Sequence, residues 1–273
     1  MLANFMRLVV ERNGLLDGHY AEPYAGGGAV AWSLLLAEYV RHVHINDIDS
    51  ALYAFWTAVL DHTDELCRRI RDGKVSMTAW RRHRNVLARP TEHSLVEVGF
   101  ATFFLNRTNR SGIITGGVIG GKGQTGRWKL DARFNRSDLI KRIQKIARYR
   151  RRITLTRMDA ADFLRSVVPT LPQKTLIYLD PPYYVKGEGL YEHHYCHDDH
   201  ALIAAMVREL HQRAWLVSYD AAPQVLDLYQ GLRRQQYDLA YSAQDRYAGS
   251  EITFYSPSLT VPKVDNPSKV RAA

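Results

Sequence analysis

The sequence predicts an α/β protein whose sheet is interrupted by a long insertion, and three observations carry that reading. Strand-like and helix-like runs alternate up to Asp49, the alternation lapses until about Arg152, and it resumes at Ile153. The apolar run Thr175-Leu-Ile-Tyr-Leu179 is cut by Asp180-Pro181-Pro182-Tyr183, so a buried strand stops abruptly with a polar residue at its carboxyl end. Open α/β sheets bind ligands at that edge. With 273 residues and 46% hydrophobic content, the chain can bury a large core, as one domain with an insertion or as two.

Taken in order, residues 2 to 13 place Leu2, Phe5, Met6, Val9 and Val10 on one helical face, and Gly14 ends that helix. His19 to Tyr24 reads as a strand entering Glu22-Pro23-Tyr24-Ala25-Gly26-Gly27-Gly28, ahead of a helix from Ala29 to Val40. Three glycines there allow a sharp turn and close approach of backbone to a ligand. The pattern is not G-x-G-x-x-G, and Glu22 would repel a pyrophosphate, so a cofactor with a cationic or zwitterionic end fits better. His42 to Asn46 is a second strand followed by Asp47 and Ile48. An acid at this place holds a ribose hydroxyl pair in Rossmann-type folds, and Asp47 is the expected one, with Asp49 as a helix cap.

Residues 51 to 72, 78 to 88, 95 to 106 and 137 to 150 read as helices. Gly112 to Gly126 holds seven glycines among Ile113, Ile114, Thr115, Val118 and Ile119, with Lys122, Arg127 and Lys129 nearby. This predicts a flexible β-ribbon able to enter a DNA groove, with a surface loop as the plainer alternative. Asn106, Arg107, Asn109, Arg110 and Ser111 are residue types that read base edges or grip phosphate. Beyond Ile153 to Arg157, Asp159 is either a helix cap or an acceptor for a cofactor adenine, and Ala160 follows it. The loop from Tyr184 to His200, with Tyr191, His193, His194, Tyr195, His197 and His200, is expected to form a lid. Its histidines lack a recognised metal-ligand spacing, so no metal is expected. A helix from Asp199, strands at 214 to 219, 236 to 241 and 251 to 255, and a disordered tail from Pro257 complete the reading.

A net charge of +9 and a pI near 9.5 suit a polyanionic partner, and the basic residues concentrate in Arg68 to Arg89 and Lys141 to Arg152. No run of about 20 apolar residues exists to cross a bilayer, and the start lacks a signal-peptide pattern, so no membrane partner and a cytoplasmic location are expected. Cys67 and Cys196 are too far apart for a C-x-x-C arrangement. At Asp180 to Tyr183 each residue suits an exocyclic amine on a nucleobase, whose lone pair is delocalised into the ring. The Asp180 carboxylate and Pro181 carbonyl would accept from its two N–H groups and favour pyramidal nitrogen. The prolines hold those acceptors rigid, and Tyr183 offers a stacking face.

Together, Glu22-Pro-Tyr-Ala-Gly-Gly-Gly28, Asn46-Asp47-Ile48, Leu105-Asn106-Arg107 with Ser111-Gly112-Ile113, Ala132-Arg133-Phe134-Asn135, Asp180-Pro-Pro-Tyr183 and Ser218-Tyr219-Asp220 resemble the Dam-like, D12-class adenine-specific DNA methyltransferases. The resemblance implies a Rossmann-like, seven-stranded, mostly parallel sheet with an inserted, mainly helical target-recognition domain carrying a β-hairpin. It implies a catalytic domain of residues 1–56 and 151–257, an insertion of 57–150, and a disordered tail of 258–273. It implies transfer of a methyl group from S-adenosylmethionine to the N6 amine of adenine in a specific duplex DNA sequence, with the base flipped out. Asp180, Pro181, Pro182 and Tyr183 are then catalytic. Glu22, Pro23, Tyr24, Ala25, Gly26, Gly28, Asp47, Ile48, Asp159, Ala160 and Asp180 are expected at the cofactor. Asn106, Arg107, Arg110, Ser111, Ile113, Thr115, Lys122, Lys129, Arg133 and Asn135 are expected at DNA. Family members usually begin with a Pro-Gly-Gly-Lys or Trp-Ala-Gly-Gly-Lys segment that touches the cofactor. This chain starts just after that place, which leads us to expect weak cofactor binding. An RNA amino-methyltransferase and a DNA-binding protein on a degenerate scaffold stay open as alternatives, as does a cognate restriction nuclease as partner.

Overall fold

A computed structural model describes residues 2–184, 195–240 and 248–271. The chain divides into two units, one holding the residues up to Ile48 with those from Arg152 onward, the other Asp49–Arg151.

The first unit is built on a seven-stranded sheet of order β3-β2-β1-β4-β5-β7-β6. Its elements in chain order are α1 (Ala3–Arg12), β1 (Gly18–Glu22), α2 (Ala29–Leu36) and β2 (Val40–Asn46), and after the insertion β3 (Ile153–Thr156). The second unit contributes α3 (Ser50–Asp61), α4 (Thr63–Asp72), α5 (Met77–Ala88), α6 (Leu95–Thr108) and α7 (Arg136–Ala147). The first unit then continues with α8 (Ala160–Asp162), β4 (Thr175–Leu179), α9 (His197–Glu209), β5 (Ala214–Asp220), α10 (Pro223–Leu228), β6 (Arg233–Ala240) and β7 (Ala248–Tyr255). Strands β1 to β5 pair in parallel, and β7 pairs antiparallel with both β5 and β6. The fold is thus the mostly parallel seven-stranded one expected. All five residues of β4 are buried, as a central strand covered on both faces requires.

Several local expectations change. The helix expected to reach Val40 stops at Leu36, because Glu38 adopts φ 59° and Val40 already begins β2. The tail expected to be disordered is held: Asn13 Nδ2 donates to Thr260 O at 2.9 Å, Asn4 Nδ2 donates to Val270 O at 2.9 Å, and Leu259 is buried. Its backbone groups find fixed side-chain partners, which low hydrophobicity in the tail did not announce. The expected lid residues Tyr191, His193 and His194 lie outside the described residues. Among the described residues, no helix is long and apolar enough to cross a membrane and no group of side chains could hold a metal ion.

In the second unit α3 packs on α6, whereas residues up to 56 were expected in the catalytic domain. Gly99 permits the close approach, since a Cβ there would sit 2.6 Å from Ala54 O. Helix α6 starts with a capping box, in which the Ser94 hydroxyl accepts from Glu97 N and the Glu97 carboxylate accepts from Ser94 N. The segment expected to be a β-ribbon is a string of turns with one isolated bridge, Asn109 to Val118. Side chains replace the ladder. Asn109 Nδ2 donates to the carbonyls of Ile113 and Ile114, and Gln124 Nε2 donates to those of Ile119 and Gly121. Trp80 Nε1 donates to the buried Asn109 Oδ1 at 2.7 Å and completes that amide's bonding.

Trp80→Phe should therefore destabilise the protein by about 1–3 kcal/mol, because it leaves a buried acceptor unpaired, whereas Ser94→Ala should cost about 1 kcal/mol. Urea denaturation followed by circular dichroism checks both, and equal small losses would contradict the buried-acceptor argument.

Candidate active site

In the first unit, β1 is flanked by β2 on one side and by β4 on the other, so strand order reverses between β1 and β4. Crevices outside the carboxyl ends of strands at such a reversal are where open α/β sheets bind ligands. Four segments end there: Glu22 and the glycine turn after β1, Asn46-Asp47-Ile48 after β2, the stretch to Asp159 after β3, and Asp180 after β4.

Asn46 organises three of them. It is fully buried, donates from Nδ2 to Pro23 O at 3.0 Å and to Met158 O at 2.9 Å, and accepts at Oδ1 from Thr156 Oγ1 and from Met158 N. Its carbonyl accepts from Ala25 N at 2.8 Å, and the Asp47 carboxylate accepts from Gly26 N at 2.8 Å. The glycine turn is thereby pinned to the end of β2. Gly26 and Gly28 have φ of 47° and 59°, a region open to glycine at no steric cost, and a Cβ added at Gly26 or Gly27 would meet nothing within 4 Å. That is open space against backbone. Asn46 was quoted as part of a motif, yet its organising role was not expected, because a strand-end amide does not announce which carbonyls it will reach.

Glu22 is buried at the end of β1, and its Oε2 has no hydrogen-bond partner among the described residues. Burial pushes its carboxyl well above the usual range, and the neighbouring Asp180 charge adds to this, while the Ala31 N–H opposes it. Asp180 is exposed to solvent at the mouth of the crevice yet ringed closely by protein. This desolvation pushes its carboxyl up to about 6; the hydrogen bond from Ser218 limits the rise and Glu251 adds to it. Ser218 Oγ donates to Asp180 Oδ1 at 2.6 Å, and Tyr178 OH stands 2.7 Å from Ser218 Oγ. Pro181 is buried, and Pro182 and Tyr183 are half-buried. Tyr183 OH donates to Glu251 Oε1 at 3.2 Å, while Tyr237 OH donates to the other oxygen of that carboxylate.

The remaining expected cofactor residues fall at the same edge. Ile48 is 38% exposed, an unusual state for an isoleucine beside so much core. Asp159 caps α8 by accepting from Ala161 N at 2.8 Å, and Ala160 is buried. Tyr24 OH donates to Tyr195 OH at 3.1 Å.

The expected DNA residues all lie in the second unit, and several are committed to holding it together. Asn106 Nδ2 donates to Gly112 O at 2.8 Å, and Asn106 Oδ1 accepts from Arg107. Arg133 donates to Asn109 O, Lys129 Nζ donates to Gln124 O, and Asn135 caps α7. Ile113 is half-buried, while Arg110, Ser111, Thr115 and Lys122 are exposed. Trp128, 64% exposed with the Arg127 guanidinium 5.3 Å from its ring centroid, was not among the expected residues. A single tryptophan in a basic, glycine-rich stretch was the available signal.

Among solved structures, the chain is similar in fold to a protein provisionally described as an RNA methyltransferase from Pyrococcus horikoshii (9% identity, 93% of this chain and 82% of that one, TM-score 0.44). It is also similar to the rRNA methyltransferase AviRa from Streptomyces viridochromogenes (11%, 93% and 83%, TM-score 0.42). A conserved protein of Streptococcus pyogenes without described function is a third (10%, 88% and 87%, TM-score 0.36). No curated protein sequence matches. The profile of the D12 class N6 adenine-specific DNA methyltransferases matches residues 2–243, and on that span the chain belongs to this family.

Proposed function

We propose that the chain transfers a methyl group from S-adenosylmethionine to the N6 amine of an adenine displaced from duplex DNA, using the crevice between the ends of β1 and β4. The observation that carries this is the neighbouring placement of a buried carboxylate with one unpartnered oxygen, Glu22 Oε2, and an accessible carboxylate followed by two prolines, Asp180.

The residues present suit the cofactor. Glu22 Oε2 lacks a partner, and an ammonium group is the kind of ligand that would supply one. The space over Gly26 and Gly27 admits a chain against backbone. Asp47 would hold a hydroxyl pair, Ile48 would present an apolar face to a purine, and Asp159 would accept from an exocyclic amine, alongside Pro23, Tyr24, Ala25, Gly28 and Ala160 as the walls. S-Adenosylmethionine, when bound, supplies a methyl group on a cationic sulfur, and an acid-lined crevice favours that charge.

Toward the substrate, Asp180 and the Pro181 carbonyl act as a rigid pair of acceptors for the two N–H groups of the target amine. Accepting both favours pyramidal nitrogen and returns the lone pair to it. The acceptors are fixed before substrate arrives, which is where electrostatic preorganisation has most effect. Tyr183, tethered by Glu251, offers its ring to the base. The second unit brings the basic surface for DNA, with Arg110, Ser111, Thr115 and Lys122 exposed and Asn106, Arg107, Ile113, Lys129, Arg133 and Asn135 supporting them. Removing an adenine from its stack costs a few kcal/mol, which phosphate and groove contacts offset.

Incubation with tritiated S-adenosylmethionine and either duplex DNA or RNA should label N6-methyladenine in the duplex, and Asp180→Ala should reduce transfer by about a hundredfold or more. Label appearing in RNA alone would overturn the DNA reading. Because the carboxylate form of Asp180 is the acceptor, kcat/KM should fall toward tenfold per pH unit below about 6. A profile that stays flat down to pH 5 would contradict this. Glu22→Gln should weaken S-adenosylmethionine binding by about ten- to a hundredfold, the scale of one charged hydrogen bond. Calorimetry reads that directly, and unchanged affinity would remove Glu22 from the cofactor site.

A further inference from the structure

Ser218-Tyr219-Asp220, the end of β5, has no part in the chemistry described so far. In a strand, residues two apart point to the same side. Here Ser218 and Asp220 both turn to the loop that follows β4. Ser218 Oγ donates to Asp180 Oδ1 at 2.6 Å, and Asp220 Oδ1 accepts from Tyr184 N at 2.8 Å. Between these two holds lie Pro181, Pro182 and Tyr183, so a chain already stiffened by two prolines is fastened at both ends to the neighbouring strand. Tyr219, pointing the opposite way, is buried, with His200 Nδ1 2.9 Å from its hydroxyl.

Ser218 Oγ donates to Asp180 Oδ1 and stands 2.7 Å from Tyr178 OH, and the hydroxyls of Ser218 and Tyr178 both favour the ionised Asp180 carboxyl. Tyr178 and Ser218 are both buried. The two hydroxyls and the Asp180 carboxyl thus form one hydrogen-bonded cluster, in a dry environment where such bonds polarise one another.

Resting on the reading given under Proposed function, we propose that Ser218 and Asp220 are positioning residues: Ser218, oriented by Tyr178, sets the Asp180 carboxylate, and Asp220 sets the chain beyond Tyr183, so that the carboxylate and the Pro181 carbonyl keep the separation a single amine requires. Neither touches substrate or cofactor. The groups that face Asp180 from the surrounding strands are Tyr20 and Glu22 on β1, Tyr178 on β4, Ser218 on β5 and Glu251 on β7. Of these, Ser218 and Tyr178 are the ones that favour its ionised form.

The test compares S218A, S218T, Y178F, D220A and D220N in the full chain. S218A should lower kcat by about tenfold to a hundredfold, the effect of a small misplacement of a reacting group, with the KM values for S-adenosylmethionine and DNA within about threefold. Loss of the donor should also move the acid limb of the pH profile upward from about 6, and Y178F should move it less far in the same direction. S218T, which keeps the hydroxyl, and D220N, which keeps an acceptor for Tyr184 N, should recover most of what S218A and D220A lose. Independently of turnover, the Asp180 carboxyl carbon, assigned in 13C NMR by its absence in D180N, should titrate higher in S218A than in the parent. S218A with parental kcat and an unmoved carboxyl titration would overturn the proposal. A parent protein that methylates no adenine would overturn the reading of function instead, and the carboxyl titration would still decide whether Ser218 holds Asp180.

Discussion

Parallel pairing of β1 with β4 is the constraint on which the arrangement of strand ends in the first unit depends. It sets two strands that are far apart in the chain side by side, with their carboxyl ends at one edge of the sheet, and so brings Glu22 and Asp180 into each other's field. The Asp180 charge adds to the burial that already raises the Glu22 carboxyl. A carboxyl raised in this way by burial and a neighbouring acid is the kind of perturbed group that marks a functional edge.

Around that pairing the chain uses several hydrogen-bonding side chains to tie its own segments together. Asn46 joins the ends of β1, β2 and β3, Asp47 pins Gly26, and Ser218 and Asp220 bracket the loop after β4. Each of these side chains bonds a group from another segment of the chain, which ties the strand ends and their loops together. In the second unit the Asn109 and Gln124 amides bond to backbone carbonyls of a glycine-rich segment that, among the described residues, has one isolated β-bridge.

Much of the architecture was legible in the chain itself. The buried run Thr175 to Leu179, the abrupt stop at two prolines, and the strand–glycine–helix order after His19 are local signals, because strand burial, proline's fixed φ and glycine's tolerance of positive φ are properties of single residues. They located Asp180, Glu22, Asp47 and the insertion. Sequence patterns did less well where the outcome depended on competition between partners. The apolar residues among the glycines of Gly112 to Gly126 suggested a ribbon, but the Asn109 and Gln124 amides took the carbonyls that a ladder would have used. The tail from Pro257 looked too polar to order, yet Asn4 and Asn13 bind its backbone.

By itself the sequence determined which residue types stand at strand ends, how the alternation of strand and helix is broken, and hence the class of fold and the chemistry its ends suit. Tertiary structure alone decided which of those residues face one another. That Ser218 grips Asp180 and that Asn46 joins three strand ends follow from strand order and register. Neither can be read from spacing along a chain, because a hydrogen bond is set by separation and direction in space, and the fold is what converts one into the other.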